Sequence, residues 1–113
     1  MKEVKAVLKY FRMSPRKVRL VAKAIKGLDV ERAEKELLFR NKKAAKAILK
    51  LLKSAVANAL SQGLTKENLY VKNITVNKGP AYKRYYFKAL GRVGLIRKQT
   101  SHIEIILASK NGS

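Results

Sequence analysis

The stretch "LYVKNITVNKGPAYKRYYFKALGRVGLIRKQTSHIEIILA", residues 69–108, sets two apolar runs on either side of a segment too basic for a core and too aromatic for a disordered tail. In the first run Leu69 and Val71 share one parity, and Ile74 and Val76 share the other. A strand that changes parity midway predicts a bulge or twist near Lys72 and Asn73. In the second run Ile103, Ile105 and Leu107 alternate with His102 and Glu104, the pattern of a half-buried strand. Between them, Gly79 to His102 holds Lys83, Arg84, Lys88, Arg92, Arg97 and Lys98, with no acidic residue, and the aromatics Tyr82, Tyr85, Tyr86 and Phe87. Flanked by strands, this segment is predicted to be a long β-hairpin with Gly91 and Gly94 near its tip. Two arms of about ten residues, at ~3.3 Å per residue, would project ~30 Å. An isolated two-stranded hairpin is marginal in water, and its exposed aromatics invite aggregation. Both difficulties vanish if RNA surrounds it, with cations on phosphates and tyrosine rings on bases and sugars.

Outward from this stretch, "KEVKAVLKY" alternates as a half-buried strand, with Val4, Ala6, Leu8 and Tyr10 on one face. "SPRKVRLVAKAIKG" reads as a helix capped by Ser14, opened by Pro15 and closed by Gly27. Its apolar stripe is Val18, Val21, Ala22 and Ile25, and Arg16, Lys17, Arg19, Lys23 and Lys26 lie off it. "DVERAEKELLF" is a shorter helix capped by Asp29, with Val30, Ala33 and Leu37 inward. A third helix is predicted from Lys43 to Gln62, with Ala44, Ala45, Ile48, Leu52, Ala55, Val56 and Ala59 on its apolar face and Gly63 as its stop. The small Ala55, Ala57 and Ala59 are expected to allow close packing, and "LTKEN" is a turn capped by Thr65. Neither repeats nor a second domain are visible. The expected architecture is α+β, three helices packed on a small three-stranded antiparallel sheet, as one domain over residues 1–113 with a long protruding β-hairpin at about 79–102.

Charge narrows the function. In 113 residues, Lys and Arg number 27 against 7 Asp and Glu, a formal net charge of +20, while hydrophobic residues make up 47%. The second figure suits a folded protein, and the first destabilises a compact state unless a polyanion supplies counter-charge. Nucleic acid is the commonest such partner. The acids are clumped: Asp29, Glu31, Glu34 and Glu36 are four of the seven, and none falls between Asn68 and Ile103. Without cysteine there is neither a disulfide framework nor a thiolate metal site. No apolar run approaches the ~20 residues of a membrane span, and "MKEVKAVLKYF" does not resemble a signal peptide. No membrane partner is expected, and the default compartment is the cytoplasm.

Nothing points to catalysis. His102 is the lone histidine, in an alternating strand position, and a general base needs an oriented partner. The acid cluster is better explained by helix-cap and helix-face roles than by a metal site. No metal, cofactor or enzymatic activity is expected, and no Gly-rich phosphate loop is present. The basic helix could present only a solvated face, but the whole-chain charge favours phosphate contact, aided by the N–H donors of its Pro15-led end. A membrane-surface role would need a helix with a basic face and bulky apolar anchors. The third helix carries too many alanines for that.

The motifs "SPRKVRLV", "SAVANA", "GPAYKR", "GR" and "TSHIEIIL" occur in this order along the chain. In this the sequence closely resembles the large-subunit ribosomal protein number twenty-two family, of bacterial or organellar type, from Ala6 to Leu107. The resemblance implies the same α+β architecture, a globular part near the outer opening of the polypeptide exit tunnel, and a hairpin threaded through large-subunit rRNA with its tip on the tunnel wall. It implies as partners that rRNA, neighbouring ribosomal proteins and the nascent polypeptide. By matching position, Ser14, Pro15, Arg16, Lys17 and Arg19 fall on the first-helix motif, and Gly79, Pro80, Lys83 and Arg84 on the hairpin's base and ascending arm. Gly91 and Arg92 fall at the tip, and Arg97, Lys98, Thr100, Ser101 and His102 on the descending arm. Asn77 and Lys78 stand where many relatives are acidic, Tyr86 and Phe87 where many have proline or arginine, and the tip "VGLI" is more apolar than usual.

The expected rRNA-binding residues are Ser14, Arg16, Lys17, Arg19, Lys23, Lys78, Lys83, Arg84, Tyr85, Lys88, Arg92, Arg97, Lys98, Thr100, Ser101 and His102. The expected tunnel tip is Gly91, Arg92, Val93, Gly94, Leu95 and Ile96. The function so read is that of a structural, non-enzymatic large-subunit protein that supports subunit assembly. It is a monomer in isolation, in the cytoplasm or an organellar ribosome. The alternative is an architectural nucleic-acid binder outside the ribosome.

Overall fold

A computed structural model describes residues 3–40, 42–79, 82–87 and 93–110, with 82–87 and 93–98 as backbone. Along the chain run β1 (Glu3–Phe11), α1 (Pro15–Ile25), α2 (Val30–Phe39), α3 (Lys43–Ser61), a 3-10 turn (Lys66–Asn68), β2 (Leu69–Lys78), β3 (Tyr82–Phe87), β4 (Val93–Lys98) and β5 (Ser101–Ser109). β5 is the middle strand of an antiparallel sheet of order β1-β5-β2, and β3 pairs with β4 in a second, two-stranded sheet. The α+β arrangement of three helices and a three-stranded sheet is as expected.

Strand periodicity decides which face of the sheet is covered. Ile103, Ile105 and Leu107 of β5 are fully buried, beside Val4 and Ala6 of β1. β2 would lose half of its apolar residues to the wrong face if it kept a strict alternation. Its register shifts between Val71 and Asn73, where Val71 opposes Leu107 and Asn73 opposes Ile106. The extra residue brings both Leu69–Val71 and Ile74–Val76 to the core side, and the Asn73 side-chain oxygen accepts the Ile74 N–H at 2.9 Å. The bulge lies where the parity change places it.

β1 departs from the expected pattern. Tyr10 does not face the core: it is 54% exposed, with φ of +58°, and the register shifts between Leu8 and Phe11. A left-handed residue inside a strand turns the chain, and Phe11 comes back to pack against the core. The periodicity of four residues cannot foresee this, because the compensating contact comes from the far end of the chain. The Tyr10 N–H donates to His102 Nδ1 at 3.1 Å, and the two rings meet edge to face at 4.9 Å.

The helices bury the stripes their spacing predicts. Val18, Val21, Ala22 and Ile25 of α1, and Val30, Ala33 and Leu37 of α2, join one core cluster with the inner face of the sheet. α3 adds Ala44, Ala45, Ile48, Leu52, Ala55, Val56 and Ala59, and also Leu51, which the sequence pattern did not select. Ala57 is exposed, so it contributes nothing to close packing. Gly27 and Gly63 take φ of +85° and +84°, the left-handed stops expected of them. Ser14, Asp29 and Thr65 stand at N-cap positions, but none makes a side-chain capping bond. The Asp29 carboxylate is drawn instead to Lys110, 3.1 Å away.

The outer edge of β2 is closed by the α1–α2 link: the Gly27 N–H donates to Val71 O, and the Val71 N–H to Leu28 O, both at 2.8 Å. At the other edge Asn58 Nδ2 reaches Lys5 O of β1 at 3.3 Å. These contacts blunt two edges that could otherwise pair with another chain. The Cα envelope measures 64 × 25 × 18 Å, with a radius of gyration of 17.2 Å, against roughly 13 Å for a compact domain of this length.

On the uncovered face, Glu3 of β1 and Lys72 of β2 form an ion pair across β5. The hydrogen bond from Lys72 holds the Glu3 carboxyl below the usual carboxylate range, and the same bond raises Lys72. A depressed carboxylate contributes stability above its unfolded pKa and loses it as pH falls through the folded value; a raised ammonium loses its share as pH rises through its own. The pair therefore contributes across neutral pH and at neither extreme. Glu3→Gln should lower the melting temperature slightly at neutral pH and low salt, and the gap should close on acidification. A gap that stays constant into strong acid excludes this role.

Candidate nucleic-acid interface

α1 turns its apolar stripe inward, so its cations are left outside. Arg16, Lys17 and Lys23 are exposed. The first turn of α1 contains no acidic residue, although the positive end of the helix dipole favours one. α2 follows the rule with Glu31. Arg16 and Lys17 thus sit where an anion from outside the chain is most favourable. Ser14 is half-buried at the N-cap.

Arg19 has a second role. Its Nε and Nη2 donate to Val76 O at 3.2 and 2.8 Å, pinning β2 to α1. Two donors of the guanidinium are thereby committed within the chain, and the remaining ones face outward with the exposed side chain.

The root of the β3–β4 arm is built by the residues around β5's start. Lys78 is exposed and lies opposite Ser101. The Gly79 N–H donates to Thr100 O at 2.9 Å. A Cβ at Gly79 would come within 2.5 Å of Thr100 Oγ1 and 3.2 Å of the His102 ring, so only glycine fits this approach without displacement. Thr100 and Ser101 are fully buried, and the Ser101 hydroxyl donates to Met13 O at 2.6 Å. Although selected in sequence as binding residues, both face the interior of the chain, because β5 begins inside the sheet. His102 is half-buried, with Nδ1 accepting from Tyr10.

Beyond the root, Tyr82 pairs with Lys98, Lys83 with Arg97, Arg84 with Ile96 and Tyr85 with Leu95. Register places the cations Lys83 and Arg97 at one ladder position, unfavourable without counter-charge. Val93, Gly94, Leu95 and Ile96 belong to β4, paired with Phe87, Tyr86, Tyr85 and Arg84, so these four expected tip residues have strand backbone. Lys88, Gly91 and Arg92 lie outside the described residues, as does Pro80.

One basic cluster was not selected from the sequence. Arg40, Lys42 and Lys43 gather where α2 hands over to α3, with Lys43 Nζ 5.8 Å above the Phe11 ring. The run "RNKK", residues 40–43, was the available signal. The acidic cluster is occupied by ion pairs: Glu34 with Lys66 at 3.1 Å, and Glu36 with Arg40 at 3.2 Å. No described helix is long and apolar enough to cross a membrane.

The profile of the family described as ribosomal protein L22p/L17e matches residues 6–108. The large ribosomal subunit protein uL22 of Thermus thermophilus is 46% identical over 111 residues, covering 97% of this chain and 98% of the relative. That of Carboxydothermus hydrogenoformans is 50% identical over 109 residues, covering 96% of each. That of Bdellovibrio bacteriovorus is 49% identical over 109 residues, covering 96% of this chain and 99% of the relative.

Three substitutions separate residues that hold the interface from residues that could touch a ligand. Gly79→Ala should cost roughly 1–3 kcal/mol, the usual penalty of overpacking, seen as a lower urea midpoint. Arg19→Ala should lose about 1–2 kcal/mol through the bond to Val76, whereas Lys23→Ala should unfold like the wild type. If Arg19→Ala also unfolds like the wild type, Arg19 does not hold β2.

Proposed function

The chain belongs to the ribosomal protein L22p/L17e family, and from that membership we propose that it is a structural protein of the large ribosomal subunit that binds large-subunit rRNA. It is not an enzyme, as a member of a family of structural ribosomal proteins. The observation that carries RNA binding is the joining of two acid-free surfaces. Arg16, Lys17 and Lys23 of α1 are exposed on a helix whose outer residue Arg19 is bonded to β2, and β2 runs through Lys78 into the basic β3–β4 arm.

The 113 residues act as one RNA-binding domain. Its globular part docks by α1, and the arm at about 79–102 fills a gap between RNA segments that would otherwise repel one another. The elongated envelope supports this division. Lys78, Lys83, Arg84, Tyr85, Arg97 and Lys98 meet RNA along the arm, with Lys88 and Arg92 toward its end. Gly91 to Ile96 approach the wall of the polypeptide exit tunnel, within reach of the nascent chain. His102 borders the arm's root, and Thr100 and Ser101 support that root from inside. The protein is a monomer before assembly and takes its place beside neighbouring large-subunit proteins, in the cytoplasm of a bacterial cell.

Binding of the intact chain to a large-subunit rRNA transcript should weaken steeply with salt. With ~8 phosphates neutralised, the log–log slope should be on the order of 6 to 7. A slope near 1, or equal affinity for duplex DNA of matched length, would overturn RNA-specific electrostatic binding.

A further inference from the structure

Among the cations on the outer face of α1 stands one large apolar side chain. Leu20 is 67% exposed, with Arg16 and Lys17 one turn before it and Lys23 one turn after. A solvated basic helix face has no use for it. Leu20 forms part of a groove of about 290 Å³ between α1 and the α2–α3 junction, floored by Met13, Val21 and Ala44 and walled by Lys17, Arg40 and Lys42.

The charges around the groove are of one sign. Its lining contains three cations and no carboxylate. The nearest acid, Glu36, is held by Arg40 Nη2 at 3.2 Å. The Arg40 Nε–H is buried and has no acceptor among the described residues, a costly state for a donor. The groove also lies between the first turns of α1 and α3, neither of which carries an acidic residue. Both helix dipoles therefore add positive potential there. An apolar floor within such a field does not suit an ordinary hydrophobic protein helix, which would meet three cations of which only Arg40 is paired with an acid. It suits a group that is flat and apolar on its face, rich in acceptors at its edge and anionic beside it.

We infer that this groove receives an unstacked nucleotide of the rRNA, its base against Leu20 and the apolar floor and its phosphate among Lys17, Arg40 and Lys42. The site rests on the RNA-binding reading above, and adds to it a point of base recognition apart from the β3–β4 arm. Apolar and aromatic contact with bases splayed out of helices is the usual means by which proteins grip single-stranded RNA. The site is continuous with the basic face of α1, so one docking event engages both.

The test uses the intact chain and a large-subunit rRNA transcript. Leu20→Ala removes no charge. It should lower affinity roughly 5-fold, the low end for loss of a base contact, while leaving the salt slope unchanged, because no phosphate contact is lost. Lys17→Ala should instead reduce the slope by roughly 1. Leu20 is exposed, so the urea midpoint of Leu20→Ala should match the wild type. A wild type that binds and a Leu20→Ala variant that binds equally well overturn the groove alone. A wild type that does not bind the transcript overturns the RNA-binding reading and the groove with it. In assembled subunits, a photo-crosslinking benzoylphenylalanine at position 20 should join to rRNA, and a crosslink to a neighbouring protein instead would assign the groove to that protein.

Discussion

A net charge of +20 on 113 residues is the constraint to which the rest of the structure answers. Self-repulsion of this size opposes compaction, so the core must be built without placing any cation inside. The structure does this by strict separation. The core is apolar, on helix stripes and one face of the sheet, and no Lys or Arg among the described residues is buried. The described ion pairs, Glu3–Lys72, Glu34–Lys66, Glu36–Arg40 and Asp29–Lys110, engage four of the acids and only four of the many cations. Surface pairs of this kind contribute little. The fold is therefore held by apolar burial, and its electrostatics are left for a partner to complete. Binding of a polyanion to the folded state alone would stabilise it by mass action.

That partner needs a rigid frame, and the frame converges on one end of β5. The Gly79 N–H meets Thr100 O, the Ser101 hydroxyl meets Met13 O, and His102 receives the Tyr10 N–H. Arg19 ties β2 to α1 at Val76, just before the chain leaves for β3. Contacts from β1, the β1–α1 link, α1 and β2 thus surround the root of the β3–β4 arm. A lever is aimed by its base, and here the base is fixed by hydrogen bonds between segments far apart in sequence. The unusual backbone of Tyr10 belongs to the same arrangement, since its left-handed turn brings the N–H to His102.

What the sequence made legible follows from how local each cause is. The stripes of α1 and α2, the glycine stops and the bulge in β2 depend on residues within a turn or two, and spacing revealed them. Tyr10 could not be placed by alternation, because its partner is His102, at the opposite end of the chain. The caps at Ser14 and Asp29 were misjudged for a related reason. Residue type favours a capping bond, but Lys110 competes for the Asp29 carboxylate, and no local pattern contains Lys110. Leu51 was missed because α3 is buried over a broader arc than a single stripe: it sits beside Leu52, and both are covered.

The candidate site shows the limit of reading residue types most clearly. In "TSH", residues 100–102, three polar side chains suggest contact with a polar ligand, yet two are buried and the third is bonded within the chain. Polar type alone does not separate a group that could touch a ligand from one that supports the surface a ligand would touch. Burial separates them: a hydroxyl with no exposed surface acts through its neighbours. The reverse holds for Leu20 and Phe39, whose apolar type suggests a core and whose exposure places them outside it. In a chain with this much charge, cations are too plentiful to mark a site by themselves. The informative residues are those that break their own rule, polar groups inside and large apolar groups outside. In this molecule Thr100 and Ser101, of the first kind, lie at the root of the arm, and Leu20, of the second, lies on the basic face of α1.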